Sequence, residues 1–181
     1  ILEAGSYDPG PKAERLEDAE KFYNDAIVAA KASEGGAQRI VHNAWIQLGK
    51  THMKQGDKKG AGKAFMQIAS QFPESPFAEK SAVYATVLLG QVYQDGPNEE
   101  TTADYIAAQE LLVEKFPHNE TAVKAAFRLG EIARDKGNFR KAARYYLSVG
   151  TASEFYEKAQ YLAGFSFYRA SAAARREDNA E

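Results

Sequence analysis

The chain has 181 residues, 44% of them hydrophobic, with 23 basic side chains against 25 acidic ones and a net charge of −2. That size and apolar content support one domain with a sizeable core, and the balanced charge excludes a global attraction to nucleic acid or to an anionic membrane surface. The absence of cysteine excludes disulfides, thiolate metal sites and a Cys nucleophile.

Ile1 to Pro11, with Gly5, Asp8-Pro9-Gly10 and Pro11, carries the breakers of a linker. A chain that opens Ile1-Leu2-Glu3 without Met reads as a processed or excised piece, its original address cut away. No apolar run approaches the ~18 residues of a membrane span. From Lys12 to about Lys31, Leu16, Ala19, Phe22, Tyr23, Ala26, Ile27 and Ala30 recur at helical spacing, and Gly35-Gly36 is expected to end that helix. A second helix is predicted over 38–55, with Ile40, Val41, Ala44, Trp45 and Leu48 as its buried stripe. Gly56 suits the left-handed position that closes it, and Asp57 can cap the next helix. That third helix, to about Gln71, presents Ala61, Ala64, Phe65 and Ile68 before Phe72-Pro73 stops it. Ser75-Pro76 offers an N-cap followed by Pro at the first helical position.

The pattern then returns. Helices are predicted over 77–95, 101–116, 121–136 and 139–149, with a last one from about Ser153 to Ala174. Gly96-Pro97-Asn98, Pro117 and Asn119, and Gly137-Asn138 punctuate them. No stretch alternates with period two for long enough to form a sheet, so the fold class is all-α.

Leu48-Gly49, Leu89-Gly90, Leu129-Gly130 and Ala163-Gly164 recur in the first helix of successive pairs. A mid-helix Gly costs about 0.5–1 kcal/mol against Ala, so four in register imply close approach of the paired helix. These residues resemble the tetratricopeptide repeat, whose pattern is Trp-x2-Leu-Gly-x2-Tyr, then Ala-x3-Phe, then Pro. The first full unit supplies Trp45, Leu48, Gly49, His52 in place of Tyr, Ala61, Phe65 and Pro73. A later unit supplies Leu129, Gly130, Gly137, Ala142 and Tyr146. The middle unit keeps Leu89, Gly90, Tyr93 and Pro117 but departs at Tyr105 and Gln109, which puts the packing of its second helix in question.

The resemblance implies a right-handed α-α superhelix over 12–181. Its units fall at 12–34 (a second helix alone, through Ala19 and Tyr23), 38–73, 77–117, 120–152 and 153–175 (a first helix alone, with Gly164 and Phe167). Trp45, Phe65, Tyr93 and Tyr146 are expected in its core. The connections Phe-Pro-Glu-Ser-Pro-Phe-Ala-Glu and Phe-Pro-His-Asn-Glu-Thr-Ala look similar to links in bacterial envelope repeat proteins, such as the Tol-Pal coordinator and outer-membrane assembly lipoproteins. That narrower likeness implies a periplasmic or outer-membrane setting.

Several apparent chemical motifs fail on spacing. Asp57-Lys-Lys-Gly-Ala-Gly-Lys63-Ala64 lacks the first Gly and the Ser or Thr of a phosphate loop, and Gly49-Lys50-Thr51 has Ala44 where the first Gly belongs. His42, His52 and His118 lie in separate elements without metal-ligand spacing, and His52 stands in for a packing aromatic. Glu99-Glu100 is expected in a loop and Glu177-Asp178 near a frayed end, both solvated. Asn119-Glu120-Thr121 matches a glycosylation acceptor, a pattern common by chance. No nucleophile, base and oxyanion donor assemble, so neither enzyme activity, metal nor cofactor is expected.

Stacked pairs would line a concave face with their first helices. In such repeats the inward ridge includes the residues six before, three before, one after and four after the helical Gly. Here these are Asn43, Ile46, Lys50 and Met53; Tyr84, Val87, Gln91 and Gln94; Lys124, Phe127, Glu131 and Arg134; and Lys158, Tyr161, Phe165 and Tyr168. The late half suits an extended peptide or helix with apolar anchors and acidic character. The apolar Ile46, Val87, Phe127 and Tyr161 disfavour a clamp for a C-terminal carboxylate. Aromatics of the last helix cover more than one face, which points to a longer chain or a covering subunit. The expected function is a non-catalytic scaffold that binds a partner polypeptide in its groove. The alternative is a self-assembly module stacking through its uncapped terminal helices.

Overall fold

In the computed structural model, which describes residues 12–32 and 38–178, every regular element is helical. The elements are α1 (Lys12–Ala32), α2 (Gln38–Gln55), α3 (Lys58–Gln71), α4 (Ala78–Asp95), α5 (Glu99–Lys115), α6 (Glu120–Asp135), α7 (Phe139–Leu147) and α8 (Tyr156–Asp178). No strand occurs among the described residues, as the absence of period-two alternation implies. The expected linker at Ile1–Pro11 and the Gly35-Gly36 stop lie outside them.

The boundaries follow from capping. Gly56 and Gly137 take φ of 81° and 74°, a left-handed turn in which only Gly escapes a Cβ penalty. Behind each, a side chain receives a free N–H of the next helix: Asp57 from Gly60 at 2.8 Å and Asn138 from Lys141 at 3.2 Å. Phe72 and Phe116 each donate a last N–H, to the carbonyls of Ile68 and Leu112, before Pro73 and Pro117 forbid another turn.

Three expected boundaries shift for local reasons. The α5 helix starts at Glu99, because Asn98 and Thr101 form a reciprocal capping box with both bonds at 2.9 Å. Glu99 and Glu100 therefore sit in a first helical turn, where the helix dipole favours carboxylates. The α4 helix starts at Ala78, two residues beyond Pro76; Ser75 Oγ accepts the Phe77 N–H at 3.2 Å across the turn instead of capping a helix. Likewise α8 starts at Tyr156, after turns through which Ser153 Oγ accepts the Phe155 N–H at 3.1 Å.

The chain divides into two compact units, one ending at Pro97 and one starting at Asn98. In the first, each of α1 to α4 packs on its neighbour. Ile27, Ala30, Val41, Ala44, Leu48 and Ala64 form a core flanked by Tyr23, Trp45 and Phe72. In the second, each of α5 to α8 packs on its neighbour around Ala126, Phe127, Ala142, Tyr146, Val149, Ala159 and Leu162. The α5 helix packs despite its departures from the repeat pattern: Tyr105 and Gln109 are both buried.

Candidate binding surface

In two of the helix pairs, α2–α3 and α6–α7, the joint is a ring laid on a glycine. A Cβ at Gly49 would stand 2.7 Å from Cε1 of Phe65, and one at Gly130 would stand 2.5 Å from Cε1 of Tyr146. Any residue larger than Gly would push the second helix away, which explains why the mid-helix penalty is tolerated. Gly62 is a further close approach, with the Leu89 side chain of α4 at 2.7 Å from its missing Cβ. Gly164 departs from the expectation, because nothing lies within 4 Å of the place its Cβ would take.

These joints orient the ridges of the first helices. In the first unit, Phe65 packs against Tyr84 with ring centroids 5.8 Å apart, and Lys80 Nζ lies 5.6 Å from the Tyr84 ring centre. Tyr84 is thereby held with its outer part in solvent. Asn43, Lys50 and Met53 on α2 are exposed with it, as are Val87, Gln91 and Gln94 on α4, while Ile46 is half-buried.

In the second unit the same register behaves differently. Phe127, expected on the ridge, is only 7% exposed. Its ring lies 5.6 Å from Tyr146, stacks on Phe155 at 5.0 Å, and carries Lys158 Nζ at 5.0 Å on its outer face. It is a core residue, and little of it can reach a partner. Glu131 and Arg134 are half-buried; Lys124, Lys158, Tyr161, Phe165 and Tyr168 are exposed. Tyr161 at 72% and Tyr168 at 70% are the most open aromatic pair of this unit.

Charge on the ridge is partly self-compensated. Lys124 pairs with Glu120 at 2.8 Å and Arg134 with Asp135 at 3.1 Å. The bond to Asp135 pushes the Arg134 guanidinium further up, so it stays cationic. Away from the ridge, Glu110 of α5 accepts from Lys141 at 2.7 Å and from the Tyr145 hydroxyl at 2.6 Å. Burial alone would raise the Glu110 carboxyl, but the bonds from Lys141 and Tyr145 outweigh it and hold it below the usual range. Burial, together with the bond to Glu110, pushes the Tyr145 phenol up to about 12.

Two of the three histidines, His42 and His52, fall into capping and packing roles. His52 Nδ1 stands 3.0 Å from Oδ2 of the α3 cap Asp57, and its ring fills the space over Gly60. His42 Nε2 is 2.8 Å from Ser75 Oγ, with Phe72 and Phe77 rings beside it. The bond holds the turn after Phe72-Pro73. His118 is exposed on the α5–α6 connection. No group of three or more His, Asp or Glu among the described residues could hold a metal ion. The Lys58–Ala64 segment lies in α3 and Gly49-Lys50-Thr51 inside α2, so neither forms a phosphate-binding loop. Asn119 caps α6 by accepting the Thr121 N–H at 2.8 Å. The side chains of Glu177 and Asp178 lie outside what the structure describes. No helix among the described residues is long and apolar enough to cross a membrane.

One surface escaped the sequence reading. Arg140 and Arg144 of α7 face Phe167, Ala170, Ala174 and Arg175 of α8 across a shallow groove. Arg169 lies beside it, over the rings of Phe139 at 5.0 Å and Phe165 at 6.0 Å. Only the four-residue spacing of Arg140 and Arg144, one turn apart on a helix face, hints at it.

Residues 43–75 match the tetratricopeptide repeat family. The matched segment spans most of α2, all of α3 and the turn after it, and so includes Gly49, the Phe65 ring that covers it, and Pro73. No curated protein and no solved structure matches the chain.

Proposed function

We propose that this chain is a non-catalytic scaffold that holds a partner polypeptide along the exposed ridges of its first helices. Tetratricopeptide repeats generally mediate protein–protein interaction, and the match at residues 43–75 supports that class. The observation that carries the reading is the row of exposed aromatics on α8, where Tyr161, Phe165 and Tyr168 stand in one ridge with Lys158. Large exposed aromatics next to cations are the groups that dominate interface energetics. Tyr84 with Lys50 and Gln91 forms the corresponding ridge of the first unit. The partner that fits is an extended segment or helix with apolar anchors and some acidic residues. Bacterial envelope assembly is the setting we favour, on the two Phe-Pro links alone.

A photo-crosslinking residue placed at Tyr84, at Tyr161, and at the exposed Ser70 of α3 tests this in the source cells. One polypeptide joined from Tyr84 and Tyr161 but not from Ser70 is the expected result. Its capture should fall at least tenfold in Arg134→Glu/Tyr161→Ala/Tyr168→Ala with the label at Tyr84. Equal capture from Ser70, or none from either ridge, would place binding elsewhere.

A further inference from the structure

A Ser-x-Phe turn leads into α4 and another into α8. Ser75 Oγ accepts the Phe77 N–H at 3.2 Å, and Ser153 Oγ accepts the Phe155 N–H at 3.1 Å. Beside each turn lies a recess whose other wall is the start of the preceding first helix, α2 in one unit and α6 in the other. The recesses hold about 500 and 670 Å³, room for a side chain or a small ligand.

Their charges differ. In the second recess Lys124 pairs with Glu120 at 2.8 Å and Glu154 shares the lining, so the cation there is compensated. At the offset from its glycine that Glu120 has, α2 carries Arg39, and at the offset of Val123 it carries His42. Arg39 lines the first recess, is exposed, and makes no ion pair among the described residues. Glu74 shares that lining without pairing to it. His42 fixes the wall: its Nε2 stands 2.8 Å from Ser75 Oγ, and its ring lies 5.0 Å from Phe72 and 6.2 Å from Phe77. Phe72, Pro73 and Pro76 give the recess an apolar side.

An unpaired guanidinium in a preformed, partly apolar recess suits a carboxylate, which it holds through two parallel N–H bonds. One positive charge, with Glu74 in the same lining, favours a singly charged group over a phosphate dianion. Arg39, Asn43 and Lys50 lie on one face of α2, so a polypeptide that follows this ridge meets the recess at the helix start.

We propose that the recess between the start of α2 and the turn at 72–77 seats an Asp or Glu side chain of the partner polypeptide. Arg39 holds the carboxylate, and an apolar neighbour of that residue packs on Phe72 and the prolines. His42 and Ser75 are positioning residues. The inference rests on the ridge reading above and adds to it the residue that selects an acidic partner. The second unit makes no such selection, because its Lys124 is already paired with Glu120.

Fluorescence anisotropy on the full chain tests this with labelled, end-capped peptides: Glu-Phe-Glu-Phe-Glu and its counterparts with Gln or Lys in place of Glu. The Glu peptide should bind roughly tenfold more tightly than the Gln peptide, the effect of one charge-assisted contact, and the difference should shrink with salt. Arg39→Gln should level the two, and Arg39→Glu should turn the preference toward the Lys peptide. Lys124→Gln should leave the preference for Glu unchanged. Circular dichroism confirms that each variant is folded. Millimolar inorganic phosphate should not displace the Glu peptide; displacement would make this a phosphate site and overturn the proposal. A wild type that binds neither peptide, binds both equally, or keeps its preference in Arg39→Gln overturns it too. Crosslinking from Tyr84 and Tyr161 separates the two readings. Capture there with no effect of Arg39 on peptide preference sinks the recess alone, whereas no capture from either ridge sinks both.

Discussion

In the unit ending at Pro97, the ring on the glycine hands its contact outward: Phe65 covers Gly49 and braces Tyr84, which stays half in solvent. In the unit starting at Asn98, the ring on the glycine hands its contact inward. Tyr146 covers Gly130 and joins Phe127 and Phe155 in the core. One joint therefore serves two ends. In the connection before α8, Phe155 stacks on Phe127 and draws that ridge aromatic into the core. In the connection before α4, Phe77 lies beside His42 instead and is half exposed, and Tyr84 stays half in solvent.

The largest expected effect lies on the inward side. Tyr146 is fully buried, so Tyr146→Ala should destabilise the second unit by about 3–5 kcal/mol, with cavity and transfer terms adding. Native-state hydrogen exchange should show that loss in α6 to α8 amides and leave those of α2 and α3 unchanged. Equal loss of protection in α2 and α3 would mean that the two units do not unfold separately. Tyr146→Phe isolates the ring from its hydroxyl, which is buried with no hydrogen-bond partner among the described residues. Its removal should leave stability unchanged or raise it by chemical denaturation.

A smaller gain is expected on α5. Gln109, 1% exposed, has a buried amide nitrogen with no hydrogen-bond partner among the described residues, at the position where Phe65 and Tyr146 place a ring. Gln109→Met keeps the volume and removes the stranded donor, and should stabilise the second unit by about 1–2 kcal/mol in urea unfolding. A loss there would mean that the amide has an essential partner.

The smallest effect is in alkaline solution. Tyr145 has a folded pKa near 12 against an ordinary value of 10.0. The folded state therefore keeps its proton when the unfolded chain has lost it. The stability involved is full below pH ~10 and lost as pH rises toward ~12. Spectrophotometric titration of wild type against Tyr145→Phe should show one late-titrating phenol, and the variant should lose less stability across that window. A phenol titrating near 10 would mean that the Glu110–Lys141–Tyr145 contact is open in solution.

The fold was legible because its punctuation is local. Gly56-Asp57, Asn119 and Gly137-Asn138 act within one turn, so sequence alone locates them, and the glycine register implied close approach at Gly49 and Gly130. The surface was less legible because its determinants are not local. Phe127 sits at the same offset from its glycine as Ile46 and Val87, yet Phe155, in a different element, buries it. Nothing in the periodicity of α6 contains that ring. Gly164 carries the same signal as Gly130, but whether a helix covers it depends on packing beyond its own segment. Gly62 escaped notice because it stands alone, without a repeat to mark it.

A ring closes Gly49 and Gly130 while Gly164 stands open, and alanine at each of the three positions separates the two situations. Unfolding in denaturant should show Gly49→Ala and Gly130→Ala destabilised by about 1–3 kcal/mol, since the new methyl meets a packed ring. Measured at dilution, Gly164→Ala should be stabilised by about 0.5–1 kcal/mol, the ordinary helical preference of Ala over Gly. Three changes of the same sign would contradict the account.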